Sequence, residues 1–321
     1  AMPFPNAVGA VVDSGHFARN VENAMARASD GFATRKVASE ANGRHRGLGI
    51  GYHMKATFGA PEENVELRFD DDDKITFTTG TQAIGQGHET SFPQIISDLL
   101  GLPSEDVRYQ AGDTDLIAKG GGHGSSRATF MAGTAIFMAV EKIKEKGKRI
   151  AAQMLEAAEA DITYDDGAFH IAGTDRSVGL MQVAAKAREQ AEPLDTYQDF
   201  TRTHHTFPNG CHVAEVEVDP DTGVVTLAGY TAVDDYGTVI NPMLAAGQVH
   251  GAIAQGVGQA LMEHVVFDKD DGQLLSGSFM DYCLPRADDL PSFDVTFDGT
   301  PCTTNPLGGK GAGEAGAIAG F

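Results

Sequence analysis

Apolar and polar residues alternate strictly in several short stretches of the chain, which is typical of β-strands with one buried face. Residues 65–69 show this alternation, and a second strand-like stretch covers residues 75–78. An acidic run at 70–73 separates the two stretches, so the sequence predicts a β-hairpin. We interpret the acidic run as a solvated loop, because the ligand pattern of a calcium-binding EF-hand is absent.

Shorter signals predict the remaining strands. Residues 48–52 and 107–109 have strand-like composition. Turn-forming residues at 165–167 and 219–223 predict two further hairpins. The turn at 219–223 lies between two apolar-rich stretches, and these two stretches are among the clearest strand signals in the chain.

A spacing of three or four residues between apolar positions predicts helices elsewhere. Residues 89–100 have such an amphipathic pattern, and another helix is expected over residues 241–262. A long helix should follow the glycine run at 120–124, with Ser125 or Ser126 as its natural N-cap. The apolar positions of this long helix are Ile136, Ala139, Val140, Ile143, Ile150 and Met154.

The order of these elements predicts the fold class. Helices and hairpins alternate without a βαβ rhythm, which favours an α+β fold with mixed sheets and packed helices. Residues 13–16 are predicted to cap a helix within a polar N-terminal segment, and the polar stretch 190–203 is the predicted boundary between two lobes. We therefore expect an approach segment at 1–45, a first lobe at 46–200 and a second lobe at 201–321.

Composition narrows the classes of partner. The chain has 321 residues, 41% of them hydrophobic and 21% charged, so it can bury a sizeable core. Its net charge of −21 argues against binding to nucleic acid or to an anionic membrane surface. No apolar stretch approaches the roughly 20 residues of a membrane span. We therefore expect neither a nucleic-acid partner nor membrane insertion.

The metal-ligating residue types show no recognisable local motif. Cys211, Cys283 and Cys302 lie far apart, and the chain has no CxxC pair. We therefore expect no iron–sulfur cluster or structural zinc ligated by this chain alone. The eleven histidines form no HExxH or comparable metal spacing. So few cysteines fit a reducing compartment, and we expect a cytoplasmic protein.

Glycine is about twice as frequent as usual, with 39 residues collected in short runs. Four such runs combine glycine with hydrogen-bonding side chains close to a predicted helix. They are 85–90, 112–115, 119–127, and 247–251 with its continuation at 255–259.

The run at 119–127 carries the clearest physical signal. A glycine-rich turn that leads into a helix presents free backbone N–H groups and the positive end of the helix dipole. Ser125, Ser126 and Arg127 at the same point would complete an anion or phosphate site. Neither a Walker loop nor a Rossmann fingerprint is present. The alternative is a tight turn with a serine cap and no ligand.

Two further features of the sequence suggest ligand binding and catalysis. The glutamines at positions 82, 86, 248, 255 and 259 offer amide edges that donate and accept hydrogen bonds at once. Such edges suit the flat heterocycle of a pterin or nucleobase, although each glutamine alone is typical of a surface. Glu314 stands in the glycine run 308–316, where a carboxylate could approach a ligand closely as a catalytic base. The alternative for Glu314 is a solvated tail.

Taken together, these segments occur in a familiar order. They are Gly85-Gln86-Gly87-His88-Glu89-Thr90, Gly112-Asp113-Thr114, Gly124-Ser125-Ser126-Arg127, Gly247-Gln248-Val249-His250-Gly251, residues 254–260, residues 277–282 and residues 305–316. This joint pattern closely resembles the molybdenum-binding large subunit of the xanthine oxidase family, in its carbon monoxide dehydrogenase/aldehyde oxidoreductase-like branch. The resemblance covers nearly the whole chain.

The resemblance implies roles for individual residues. It implies that Glu314 acts as general base beside the molybdenum, and that the two predicted lobes both bind cofactor, as in the second cofactor-binding domain of the family. No residue of the chain is expected to ligate molybdenum directly, because the pterin holds the metal. The residues implied to contact the cofactor are Gln86, Gly87, His88, Gly112, Asp113, Thr114, Gly124, Ser125, Ser126, Arg127, Gln248, Gln255, Lys310 and Gly311.

The resemblance also implies a function. We expect a molybdenum hydroxylase portion that uses molybdopterin cytosine dinucleotide to oxidise or hydroxylate carbon monoxide, an aldehyde or an N-heterocycle with oxygen from water. Iron–sulfur and flavin subunits would accept the electrons. The relatives carry another cofactor lobe and the substrate-defining loop, so the chain is expected to be one piece of a large subunit, inactive alone. The alternatives are a non-catalytic module that binds a nucleotide or a partner, and an inactive fragment without cofactor.

Overall fold

The computed structural model describes residues 2–117 and 119–312 of the chain. The α-helices of this part are α1 (Phe17–Ser29), α2 (Phe32–Ala41), α3 (His88–Leu100), α4 (Ala128–Leu155), α5 (Leu180–Glu189) and α6 (Pro242–Leu261). The strands are β1 (Phe4–Pro5), β2 (Val11–Val12), β3 (His45–Met54), β4 (Glu62–Phe69), β5 (Ile75–Thr79), β6 (Val107–Gln110), β7 (Ile162–Asp165), β8 (Ala168–Ile171), β9 (Ser177–Gly179), β10 (Thr196–Thr201), β11 (Asn209–Val218), β12 (Val225–Asp235) and β13 (Phe293–Phe297).

The chain forms two compact units. Unit 1 consists of residues 1–57, 206–302 and 310–321, and unit 2 consists of residues 58–205 and 303–309. Both units contain helices packed on mixed sheets, so the predicted α+β class is confirmed. The cofactor-binding roles that the sequence suggests for its two lobes stay predictions.

Unit 1 is built on a four-stranded sheet with the order β13-β12-β11-β3. The long strands β11 and β12 form the predicted hairpin around the turn at 219–223, and β3 pairs antiparallel with the other edge of β11. Helix α6 contributes Val249, Ile253 and Val257 to one hydrophobic cluster of this sheet. Helix α1 contributes Ala24 and Ala28 to a second cluster. These apolar stripes hold the helices on the sheet.

Unit 2 contains a four-stranded sheet with the order β10-β4-β5-β6 and a smaller sheet β7-β8-β9. The β4–β5 hairpin and the β7–β8 hairpin both form as predicted. Helix α4 packs on β4 and β10 and also contacts α3 and α5. Its buried positions include Ile136, Ala139, Val140, Ile143 and Ile150, which are five of the six apolar positions that predict this helix, whereas Met154 is exposed.

Each large sheet also contains a βαβ unit, and the expectation that this arrangement is absent is wrong. In unit 2, β5 pairs in parallel with β6, and α3 connects the two strands. In unit 1, β12 pairs in parallel with β13, and α6 lies between them in the chain. A hairpin, a helix and a parallel edge strand therefore follow one another in both units. Local periodicity predicts the strands and helices, but not which strands pair.

The start of α4 corrects a second expectation. Neither Ser125 nor Ser126 is the N-cap of this helix, because the cap residue is Arg127 and the helix begins at Ala128. Both serines have positive φ, at 64° and 59°. A positive φ is not the conformation of an N-cap residue, so the two serines belong to the turn that precedes the helix. At α6, by contrast, Asn241 caps the predicted helix and its side chain accepts a hydrogen bond from Leu244 N at 3.1 Å.

Candidate functional site

Two of the segments that the sequence singles out follow the carboxyl ends of parallel strands in unit 2. Gln86, Gly87 and His88 come after β5, and residues 112–114 come after β6. Because β5 and β6 are parallel neighbours, their carboxyl ends lie at the same edge of the sheet. This edge is where ligands bind in open sheets of this kind.

Gln82 connects these two segments. Its carbonyl oxygen accepts a hydrogen bond from Nε2 of Gln86 at 2.9 Å. A Cβ atom added to Gly112 would lie 3.2 Å from Nε2 of Gln82, so the backbone of residue 112 passes directly over this side chain. The amide of Gln86 also accepts from Ile84 N at 2.6 Å, so it stabilises its own loop.

His88 is buried at the start of α3 and is electrically neutral at pH 7. Its ring stacks on Phe92, with centroids 4.5 Å apart and an interplanar angle of 12°. Burial, together with the nearby His123, lowers the pKa of His88 from 6.5 to about 4. His123 belongs to the glycine-rich segment 119–127, so this electrostatic effect places a third predicted segment close to the first.

The glycine-rich segment packs by its backbone against the end of β5. A Cβ atom added to Gly80 would collide with the Cα atom of Gly120. A Cβ atom added to Gly121 would lie 2.7 Å from both terminal nitrogens of Arg127. Side chains at these positions would push the loop away, so the glycines are needed for the close approach.

The guanidinium of Arg127 is fully enclosed beneath this loop. Its Nη1 lies 3.0 Å from Oε2 of Glu63, whose side chain is also unexposed. Its Nη2 donates to the carbonyl oxygen of Glu62 at 2.5 Å, and Nη1 also donates to the carbonyl oxygen of Gly122. The guanidinium therefore ties the loop to β4. A direct contact from this group to an anion stays a prediction.

Ser125 and Ser126 are partly exposed at the point where the loop turns into α4. Their positive φ angles precede Arg127, which has a right-handed helical backbone. Successive backbone N–H groups in a left-handed to right-handed sequence form a concave anion-binding nest. The hydroxyl of Ser125 accepts a hydrogen bond from Phe58 N at 3.1 Å, which fixes this turn.

The segment 112–114 is exposed and stabilised locally. Gly112 has a φ of 80°, and Oδ1 of Asp113 accepts a hydrogen bond from Asp115 N at 2.9 Å. This bond forms a short turn just beyond β6. The three predicted segments of unit 2 thus lie together at one end of the β5–β6 pair.

In unit 1, the predicted glutamines occupy one face of α6. Gln248 and Gln255 are seven positions apart, so they project from the same side of the helix. Val249, Ile253 and Val257 pack into the core of unit 1 from the opposite part of the helix. The glutamine face is thus directed away from this core. Methyl groups added to the neighbouring Gly247 and Gly251 would meet no described atom within 4 Å.

Lys310 is enclosed in unit 1 and is held on several sides. Its Nζ lies 2.7 Å from Oδ2 of Asp235 and 3.2 Å from the carbonyl oxygen of Ser14. Its backbone N–H donates to Tyr236 O at 2.8 Å, and its carbonyl oxygen accepts from Oγ1 of Thr206 at 2.6 Å. Gly311, which follows, is also buried and has a φ of 92°. Glu314 lies outside the described residues.

Two carboxylates in these contacts are missing from the sequence-based selection of site residues. Glu63 pairs with Arg127, and Asp235 pairs with Lys310. A weak signal exists for each, because Glu63 precedes an alternating strand and Asp235 ends the apolar run of β12. Their partners lie 64 and 75 positions away in the chain, so no local pattern identifies them.

The described part of the chain contains no helix that is both long and apolar enough to cross a membrane.

Comparison with known proteins gives a consistent result. Residues 24–291 match the family described as the molybdopterin cofactor-binding domain. The carbon monoxide dehydrogenase large chain of Afipia carboxidovorans is 33% identical over 85% of this chain and 36% of its own length. The xanthine dehydrogenase molybdenum-binding subunit of Escherichia coli O157:H7 is 30% identical over 80% of this chain and 35% of its own length.

Comparison with solved structures supports the same family. The crystal structure of quinoline 2-oxidoreductase from Pseudomonas putida 86 superposes with a TM-score of 0.90 at 32% sequence identity. The match covers 99% of this chain and 43% of that protein. The chain thus spans less than half the length of the relatives it matches. The chain belongs to the molybdopterin cofactor-binding domain family, and its predicted likeness to the large subunits of the xanthine oxidase family is confirmed.

Proposed function

We propose that this chain is a cofactor-binding portion of the large subunit of a molybdenum hydroxylase, and that the cofactor is molybdopterin cytosine dinucleotide. One observation in unit 2 gives this proposal its main support. Residues 85–88, 112–114 and 119–127 come together at the carboxyl ends of the parallel strands β5 and β6. A sheet edge lined by glycine turns and a helix start suits a dinucleotide.

The residues at this edge fit the anionic part of such a cofactor. The backbone N–H groups around Ser125 and Ser126 form a nest at the start of α4, where the helix dipole also favours negative charge. These groups would hold a phosphate. The buried ion pair of Arg127 and Glu63 would not contact the phosphate but would stabilise the loop in this conformation.

In unit 1, the residues on α6 suit a heterocyclic group. Gln248 and Gln255 present amides on a face directed away from the core of unit 1, beside glycines that leave open space. Amide groups can pair with the donors and acceptors at the edge of a pterin. We assign this role to Gln248 and Gln255 in unit 1.

The chemistry divides between the cofactor and the chain. When bound, the molybdenum cofactor supplies the oxidation of the substrate carbon and accepts the two electrons. Glu314 would hold the proton that leaves the water from which the product oxygen comes, which is the task of a general base. Lys310 and Gly311 would fix the segment that leads to Glu314, because both are buried and Lys310 is bonded to the end of β12.

We propose that the substrate is carbon monoxide, an aldehyde or an N-heterocycle. The electrons need an acceptor, and we propose iron–sulfur and flavin subunits together with the remaining part of the large subunit as partners. We also propose a cytoplasmic location. The three cysteines support it, because none of them forms a disulfide bond in the described part of the chain.

The first test measures cofactor directly. The complete large subunit, produced in a host that makes the cofactor, should contain molybdenum and release one equivalent of CMP on acid treatment. If the purified subunit is folded and contains neither molybdenum nor nucleotide, the proposal is wrong. If it contains a nucleotide without molybdenum, the non-catalytic binding module is favoured instead.

The second test addresses the base. Glu314→Gln in the complete enzyme should leave the molybdenum and CMP contents unchanged and lower turnover by at least about 100-fold. Glu145→Gln, on the exposed surface of α4, is the matched control and should retain full turnover. Near-normal turnover of Glu314→Gln would remove the catalytic role of this residue.

A further inference from the structure

Two histidines and an aspartate that no local motif connects lie together inside the sheet of unit 1. His53 is on β3, His212 is on β11 and Asp234 is on β12, and all three side chains are buried. Nε2 of His53 and Nε2 of His212 lie 3.1 and 3.0 Å from the same oxygen atom, Oδ1 of Asp234. We propose that these residues form a binding site for one divalent first-row metal ion, of which Zn²⁺ is the representative.

The pairing of the strands explains how the three side chains meet. Gly210 on β11 is directly opposite His53 on one side and Asp234 on the other. His212 is two positions further along β11 and therefore points to the same face of the sheet. Three neighbouring strands thus each supply one side chain to a single point.

Gly210 provides the space for this meeting. His53 and Asp234 belong to strands that are separated by β11, so their side chains must pass over the middle strand. A Cβ atom added to Gly210 would overlap Oδ1 of Asp234 and would lie 2.9 Å from Nε2 of His53. Only glycine lets both side chains converge above the backbone here.

The separations of the ligand atoms fit a small cation. A tetrahedral zinc ion lies about 2.0–2.2 Å from nitrogen and oxygen ligands, which places its ligand atoms roughly 3.3–3.6 Å apart. Two of the three separations here are 3.0 and 3.1 Å, and all three ligand atoms lie within 4.8 Å of one another. Two imidazoles and a carboxylate are a donor set that suits zinc, cobalt and ferrous iron.

The electrostatics favour a cation at this point. The carboxyl group of Asp234 is unexposed, and its Oδ1 lies within hydrogen-bond distance of both imidazoles. A carboxylate anion in the interior of unit 1 is costly unless it is paired. A buried anion needs a compensating positive charge, and its ion-pair partners within the described residues are the two imidazoles. A metal ion bound to all three groups supplies that charge.

Outer hydrogen bonds hold two of the three ligands. Nδ1 of His212 lies 3.0 Å from the hydroxyl of Tyr230, and the hydroxyl of Tyr236 donates to Oδ2 of Asp234 at 3.2 Å. Metal-binding histidines and carboxylates usually have such outer partners. The ligands come from three strands and are closed off from solvent, so the ion would serve as a structural link within this sheet. This inference does not depend on the proposed function.

The test uses the 321-residue chain with Zn²⁺ and Co²⁺ as probes. The purified chain should contain one zinc ion, measured by mass spectrometry of the elements. Removal of the ion by a chelator should lower the midpoint of thermal unfolding, and added Zn²⁺ should restore it. Co²⁺ bound to the stripped chain should give visible absorption bands that saturate at one equivalent.

Substitutions of the proposed ligands test which side chains bind the metal ion. His53→Gln should weaken the binding of Co²⁺ by at least about 100-fold, and Asp234→Asn should abolish the visible bands. His45→Gln is the matched control, because His45 is an exposed residue on the same strand and should bind metal like the wild type. Equal binding by His53→Gln and wild type would overturn the proposal.

One measurement does not require the variants to fold. X-ray absorption of the zinc-loaded wild-type chain should show two imidazole nitrogens and a carboxylate oxygen around the ion. If the wild-type chain is folded, contains no stoichiometric metal and unfolds at the same temperature with and without Zn²⁺, the three residues form only a hydrogen-bonded network, and the proposal is wrong.

Discussion

Nζ of Lys310 lies 2.7 Å from Oδ2 of Asp235, and neither side chain is exposed. The other oxygen of Asp235 accepts hydrogen bonds from Gly237 N and Thr300 N, each at 2.9 Å. This carboxylate therefore joins three separate segments of unit 1. The sequence suggests Lys310 as a cofactor contact, but the structure shows its ammonium group inside the fold.

We expect Lys310→Met to destabilise the chain strongly. The substitution leaves the carboxylate of Asp235 buried without its ion-pair partner, which typically costs about 3–5 kcal/mol. The double variant Lys310→Met/Asp235→Asn removes both charges and should recover a large part of that loss. Urea unfolding gives the free energies of unfolding for the three proteins. A loss below about 1 kcal/mol in the single variant would show that the pair is not essential to stability.

The glycine-rich loop of unit 2 gives a second prediction. Gly121→Ala should destabilise the chain by about 1–3 kcal/mol, because the new methyl group would lie 2.7 Å from both terminal nitrogens of Arg127 and from Glu62 O. Gly124→Ala is the control in the same loop, since its Cβ atom would meet nothing within 4 Å. Thermal and urea unfolding of both variants compare the effects. Equal effects would mean that backbone freedom, and not close packing, explains the glycines.

The sequence predicts the local elements of this chain, but it does not predict how distant elements pair. Periodicity predicts the hairpin at β4 and β5, the helices α3, α4 and α6, and the hairpin at β11 and β12, because these signals are local. The order of motifs predicts the family. Parallel pairing of β5 with β6 and of β12 with β13 depends on contacts across a helix, so periodicity does not reveal it.

The orientation of charged side chains is harder to predict. A charged residue in a glycine-rich run suggests a group that faces solvent or a ligand, yet Arg127 and Lys310 are both enclosed. Each has a carboxylate partner far away in the chain, and no spacing rule connects them. His53 and Asp234 are likewise 181 positions apart and meet only through the register of three strands.

His88 makes the stability of the chain depend on pH. Its pKa falls from 6.5 to about 4 in the folded chain, first because of burial and second because of His123. The unfolded chain therefore binds a proton more readily between these two pH values. The contribution of neutral His88 is fully present above about pH 6.5 and is lost as the pH falls toward 4. The loss reaches at most about 3 kcal/mol.

The measurement compares wild type with His88→Gln. Urea unfolding at pH 7 and at pH 4.5 should show a smaller acid-induced loss in the variant, by about 2 kcal/mol. His45→Gln, at an exposed position, should keep the wild-type dependence. If His88→Gln loses as much stability in acid as the wild type, the pKa of this imidazole is not lowered in the folded chain.

Gly210 leads to the last prediction, which concerns the middle strand of the unit 1 sheet. Gly210→Ala should destabilise the chain by about 2 kcal/mol or more, because the added methyl group overlaps Oδ1 of Asp234 and crowds His53. The residue is held between two paired strands, so the backbone cannot move away without loss of the register at His53 and Asp234. Relaxation must therefore separate the imidazole from the carboxylate.

Gly49→Ala on β3 is the matched control, since it adds the same methyl group in the same sheet where nothing lies within 4 Å. It should be neutral or slightly stabilising, because alanine has less freedom to lose than glycine when the strand forms. Unfolding in urea with excess chelator isolates this packing effect from any bound ion. If Gly210→Ala is as stable as Gly49→Ala, the approach of His53 to Asp234 does not require glycine at position 210, and the sheet can form without that contact.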